Sequence, residues 1–237
     1  MLNKLIWKQW REHGWKLVFV TVIFTAYTTI GLRSRIALDE YILFPGLMTG
    51  AMLIPLFVAM GLIAPDRDEG SFATLMALPV RPVNVLAIIT ISGIVQCIVP
   101  LVCSALVALA IAGGRELTGG DIVRRYVVGG IVCVTLLVWT LSFSIRQHHE
   151  SRVGLIGLAV VVGWVLSLMI LDVYLPHVLD IQTGALAAVH PLVMVEPMAR
   201  GHVELGRLMQ FICAQMVITC LLWWWALRRM ARGGRVR

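Results

Sequence analysis

The chain has 237 residues, 59% of them hydrophobic and 14% charged, with a mean hydropathy of +0.88. Soluble domains carry roughly 25% charged residues, so this composition excludes an ordinary soluble globular protein. The net charge of +7 sits beside apolar runs, where it faces anionic lipid rather than nucleic acid.

The first sixteen residues carry Leu2, Leu5, Ile6 and Trp10 at helical spacing, with Lys4, Lys8, Arg11 and Glu12 opposite. Trp7, Trp10 and Trp15 suit the headgroup layer, and the basic residues suit its anionic surface. Residues 1–14 are therefore predicted to form an interfacial elbow helix, which also anchors the first apolar run. Six such runs occur, at about 15–32, 41–64, 83–112, 126–145, 153–175 and 208–227. Each is long enough to cross a bilayer core, which takes about 20 helical residues. In lipid every backbone amide must bond internally, and no barrel-like alternation is visible, so all six are predicted as helices. The fold class is all-α: one polytopic membrane domain over 1–237, with no separate soluble domain. The first run is longer than a signal core and lacks a small-residue cleavage site, so it is expected to be retained.

Within the second run, Pro45, Gly46, Gly50, Pro55 and Gly61 predict a kink or close packing on a neighbour. The third run is longer than a span needs and must tilt, bend near Pro100 or protrude. Its strongly polar side chain, Gln96, is expected to bond between helices. Gly113–Gly120 has the glycine separation of a phosphate loop, but Gly120-Asp121 stands where Lys-Ser/Thr should follow, so it is taken as a flexible loop. The loop from Arg146 to Arg152 holds His148, His149 and Glu150, whose consecutive side chains diverge and do not match a metal-binding spacing. No metal site is expected. Gly184–Val195 is apolar apart from His190 but too short to span, so it is predicted to be re-entrant or interfacial, with Pro191 and Pro197 breaking it in two. Trp223, Trp224 and Trp225 form an aromatic belt before a basic tail at 228–237. The five cysteines all lie inside apolar runs, without zinc spacing, and no disulfide is expected.

With the N-terminus inside, the inside segments hold 13 of the 20 basic residues and a net charge of +8, against −1 outside. The even number of spans then puts both termini in the cytoplasm.

No nucleophile elbow, HExxH or intramembrane carboxylate pair is present, which argues against an intramembrane enzyme and a proton-coupled carrier. The chain itself is expected to be non-catalytic. What stands out is the segment from Asp66 to Pro79, charged and amphipathic, between two runs without a single charge. Asp66 or Asp68 can cap a short helix there, Glu69 suits its first turn, and Phe72, Leu75 and Met76 share a face.

The stretch from Glu69 and Gly70 through Phe72, Leu75, Met76, Leu78 and Pro79 to Arg81 resembles the segment between spans two and three of ATP-binding cassette export permeases of the second type. The elbow, the six spans, the re-entrant segment and the basic tail are similar to that family as well. So is His190-Pro191 with Gly201 ten residues on. The chain departs from the family between Ala87 and Ile94, where no lysine occurs, and Pro82 follows Arg81 directly. The resemblance implies that Asp66, Arg67, Asp68, Glu69, Gly70, Phe72, Leu75, Met76, Leu78, Pro79 and Arg81 form a coupling helix that contacts an ATPase. It further implies two copies of a separate ATPase that bind ATP and magnesium, with no cofactor on this chain. The permease would be a homodimer, or a heterodimer with a second permease, in a bacterial inner (plasma) membrane. Residues Lys4, Trp7, Lys8, Trp10 and Arg11 would form the elbow, and His190, Pro191 and Gly201 the re-entrant segment. The alternative is a non-transporting membrane scaffold or regulatory subunit of a partner complex.

Overall fold

A computed structural model describes residues 2–33, 44–68, 82–112, 119–145, 147, 149–174, 190, 192–193, 195–201 and 205–233. Regular structure among them is entirely helical: α1 (Leu2–Arg33), α2 (Phe44–Asp68), α3 (Pro82–Ala112), α4 (Gly119–Ser144), α5 (Glu150–Leu168), α6 (Val195–Arg200) and α7 (Leu205–Gly233). After Leu168, α5 runs on as a π-helical turn over Met169–Tyr174. Among the described residues, four stretches are long and apolar enough to cross a bilayer: Val83–Ile111, Gly119–Ser144, Glu150–Leu171 and Gly206–Arg229. They point to a multi-pass membrane protein. The apolar stretches of α1 and α2, Gly14–Ile30 and Gly46–Leu62, are shorter.

Several helix ends differ from the apolar runs, for a common reason. Hydropathy marks where charge begins, whereas a helix tolerates charge at its ends. α4 starts seven residues before Tyr126, at Gly119, and so takes in the last two residues of the expected loop. Its first turn holds Asp121, favoured by the helix dipole, and Arg124 pairs with that carboxylate at 3.3 Å. α5 starts at Glu150, again an acid in the first turn. α1 is one continuous helix through Gly14, so the expected elbow is not separated from the first apolar run by a break. α3 passes through Pro100 and stays helical, its proline fully buried.

α4 is central. It packs against α2, α3, α5, α6 and α7, while α1 lies on α2 and α3. The core is built from Leu62 of α2, Leu86, Ile89 and Cys97 of α3, and Leu136, Leu137 and Leu141 of α4. Between lipid-embedded helices there is no hydrophobic drive, and small residues that allow close approach take its place. Gly46 and Gly50, four apart on α2, do this for α1: an added Cβ would collide with the Tyr27 ring at the first and the Phe24 ring at the second. The kink-or-pack expectation is met here by packing.

Polar contacts set the direction of the helices. Lys16 of α1 pairs with Glu150 at the start of α5 at 3.8 Å. Phe143, late in α4, meets Trp225, late in α7, edge to face at 5.6 Å. These contacts define a basal end. At the far end, Thr28 of α1, Ser104 of α3 and Tyr126 of α4 join in a hydroxyl cluster, with Thr28 to Ser104 and Ser104 to Tyr126 both at 2.7 Å. α1, α3 and α5 thus run away from the basal end, and α2, α4 and α7 run towards it. The five cysteines are free thiols.

Candidate functional site

The basal end holds the described residues of the predicted coupling and elbow segments. α2 ends at Asp68 and α3 starts at Pro82, and these two helices pack on one another. Asp66, Arg67 and Asp68 are the last three residues of α2, so Asp66 lies inside that helix and does not cap a new one. The helix continues past Pro65, and the expected boundary there is corrected by four residues. Glu69, Gly70, Phe72, Leu75, Met76, Leu78, Pro79 and Arg81 lie outside the described residues. The backbone of Lys4, Trp7, Lys8, Trp10 and Arg11 belongs to α1, and the Arg11 side chain is exposed.

Lys16, Gly61 and Gln96 line one cleft between α1, α2 and α3. From Gly61, α2 runs seven residues further to Asp68, about 10 Å of helix. From Gln96 back to Pro82, α3 runs fourteen residues, about 21 Å. The ends of α2 and α3 that flank residues 69–81 therefore extend beyond this cleft, whereas the start of α5 reaches Lys16 through Glu150.

That turn is short. Gln147 N–H donates to the Ser144 carbonyl at 2.8 Å, and the His149 carbonyl accepts from Arg152 and Val153 at 3.1 and 3.3 Å. His149 holds the extended backbone of an N-cap residue, and its side chain makes no capping bond. His148 is outside the described residues. Among the described residues, no three His, Cys, Asp or Glu side chains gather where a metal ion could be held. Nearby on α7, Arg228 stacks over Trp224 at 3.6 Å and Arg229 over Trp225 at 3.9 Å. Aromatic residues backed by arginines at a helix end are interfacial anchors.

At the far end, sequence reasoning named His190 and Gly201 but missed their partners. His190 is buried, and its Nε2 lies 2.7 Å from Ser167 Oγ on α5. Leu192 N–H donates to Nδ1 at 3.2 Å, so Nδ1 is an acceptor and the ring proton sits on Nε2. Nε2–H then donates to Ser167, whose own hydroxyl donates to the Trp164 carbonyl at 2.9 Å. The pair has the composition of a nucleophile and base, but the tautomer is wrong for taking the serine proton. It fastens the segment to α5 instead. Burial lowers the His190 pKa, opposed by the Trp164 carbonyl.

Pro191 is outside the described residues. Pro197 does not break the segment as expected, because it falls in the first turn of α6, where its missing N–H costs no helical bond. Gly201 follows α6 at φ 72°, and Arg124 of α4 covers it so closely that a Cβ would meet the guanidinium. Both the positive φ and the contact call for glycine.

No protein-family model, curated protein or solved structure matches this chain.

Proposed function

We propose that the chain is the transmembrane permease subunit of an ATP-driven exporter, worked by a separate ATPase. The observation that carries this is the position of Glu69–Arg81, whose residues bear the exporter resemblance. They connect the end of α2 at Asp68 to the start of α3 at Pro82, two paired apolar helices. α1 and α2 would supply the first two of six spans, their apolar stretches Gly14–Ile30 and Gly46–Leu62 standing at the short end of the range for a span, about 17–25 residues. Both termini would face the cytoplasm of a bacterial cell from its inner membrane.

In this mechanism, ATP and magnesium bind the partner and close two ATPase copies against each other. The closure moves residues 66–79 and, with them, the ends of α2 and α3. α2 contacts α1, α3, α4 and α5, so a shift at its basal end is felt across the bundle. Two permease subunits, identical or different, then rock between inward- and outward-facing states. ATP drives that equilibrium only through its different affinity for the two states. The acids Asp66 and Asp68 suit a basic ATPase surface.

Glu69→Lys tests the coupling. Reversing this charge within the segment that bears the exporter resemblance repels a basic partner surface. The variant is expected to insert normally while substrate no longer stimulates ATP hydrolysis. Normal transport with normal stimulated hydrolysis counts against the proposal and favours a scaffold.

A further inference from the structure

Between α1, α2 and α3 lies a cleft that the exporter mechanism does not use. It is lined by Lys16, Leu17, Val20, Ile54, Phe57 and Gln96 among others, and it opens to the outside of the bundle. From Gly61 to Ile54 it follows α2 for seven residues, about 10 Å of helix. The walls are apolar except at two points. Lys16 stands at the basal rim, and Gln96, only 4% exposed, lies among the apolar side chains with its amide donating to Ser92 Oγ at 3.2 Å. Phe57 lines the cleft yet is 59% exposed, and Leu53, one turn away, is exposed as well. The cleft is therefore continuous with apolar surface of the kind that acyl chains cover in a bilayer. Trp15, beside Lys16, is exposed at the same level and suits the headgroup layer.

We propose that this cleft binds an anionic phospholipid from the surrounding bilayer. Its phosphate meets Lys16, an ester carbonyl finds the amide of Gln96, and its first methylenes lie along Leu17, Val20 and Phe57. The charge of Lys16 selects an anion, and the apolar walls select an amphiphile over a free phosphate. Glu150 is the built-in competitor. Its contact with Lys16 is 3.8 Å long and both side chains are about two-fifths exposed, the kind of pair that is weakly held. A headgroup that takes Lys16 from Glu150 loosens the link between α1 and α5, so lipid occupancy and that link oppose each other. The site requires only residence in a bilayer, and it stands or falls independently of export.

The test titrates the detergent-purified chain with phosphatidylglycerol and, separately, phosphatidylcholine, and counts bound lipids by native mass spectrometry. Wild type is expected to prefer phosphatidylglycerol by about fivefold, the effect of one lysine near a lipid surface. Lys16→Gln should abolish that preference, and Glu150→Gln, which frees Lys16, should increase it. Equal binding of the two lipids by wild type overturns the site. So does a preference that survives Lys16→Gln, which would place the lipid at the basic tail, or one that Glu150→Gln leaves unchanged. Should Lys16→Gln fail to purify, the Glu150→Gln result decides alone.

Discussion

Three hydroxyls at the far end have a fixed direction. Thr28 donates to the Phe24 carbonyl at 2.9 Å, so its oxygen is left to accept from Ser104, and Ser104 in turn accepts from Tyr126. Ser104 is the middle of this relay and joins α1, α3 and α4 at once. Ser104→Ala removes two hydrogen bonds and leaves Tyr126 with only the 3.3 Å contact to Thr28. Tyr126→Phe removes just the Ser104 bond and that long contact. Hydrogen bonds between membrane helices are worth about 0.6 kcal/mol on average and up to about 1.7. Ser104→Ala should therefore cost roughly 1–2 kcal/mol and Tyr126→Phe about half of that, measured by thermal unfolding in detergent. Equal melting of both variants and wild type would show that the relay contributes nothing. His190 gives a second residue-scale test. Its pKa is lowered by burial, so the folded state resists a proton that the unfolded state accepts near pH 6.5. Stability should then be full above that pH and fall as the pH drops through it. In His190→Gln the dependence in that window should flatten, and an unchanged pH profile would refute the buried neutral imidazole.

At the scale of elements, the apolar runs are legible because charge is so costly in lipid that its absence marks a helix directly. α3 is the clearest case: no charged residue occurs between Val83 and Ala112, and the helix spans Pro82–Ala112. The ends are less legible, since Asp121, Arg124 and Arg125 interrupt hydropathy but not α4. Continuity is hidden too, because Gly14 looks like a joint and Pro65 like a stop while the backbone runs through both. Tertiary pairs are the least visible. Ser167 finds His190 across 23 residues, and Thr28 finds Ser104 across 76, separations that no local spacing encodes. Pro197 shows how position outweighs residue type, since a residue that ends helices elsewhere sits in the first turn of α6. The orientation of the elements can be checked by cysteine labelling from outside intact cells. Cysteine placed at Thr118 or Gln182 should react, and cysteine at Ser71 or Ser151 should not. Labelling at Ser71 would put the coupling segment on the wrong side for an ATPase.

For the whole molecule, the central claim is that residues 66–79 hold an ATPase that drives two permease subunits. Phe72 and Leu75 are three apart, a spacing that on the proposed coupling helix would put both on one face as a compact apolar knob. Burying such a side chain is worth roughly 1.5–3 kcal/mol, enough for two of them to decide a small contact. Neither lies in an apolar run, so replacing both with Ala should leave the membrane domain folded. The most direct measurement is purification of the chain from its native membrane in mild detergent, with partners identified and counted by mass spectrometry. The account predicts a P-loop ATPase at one copy per permease with wild type, and its loss in the Phe72→Ala/Leu75→Ala double variant at an unchanged yield of permease. Wild type without any ATPase, or a double variant that retains it at the same ratio, would contradict the claim.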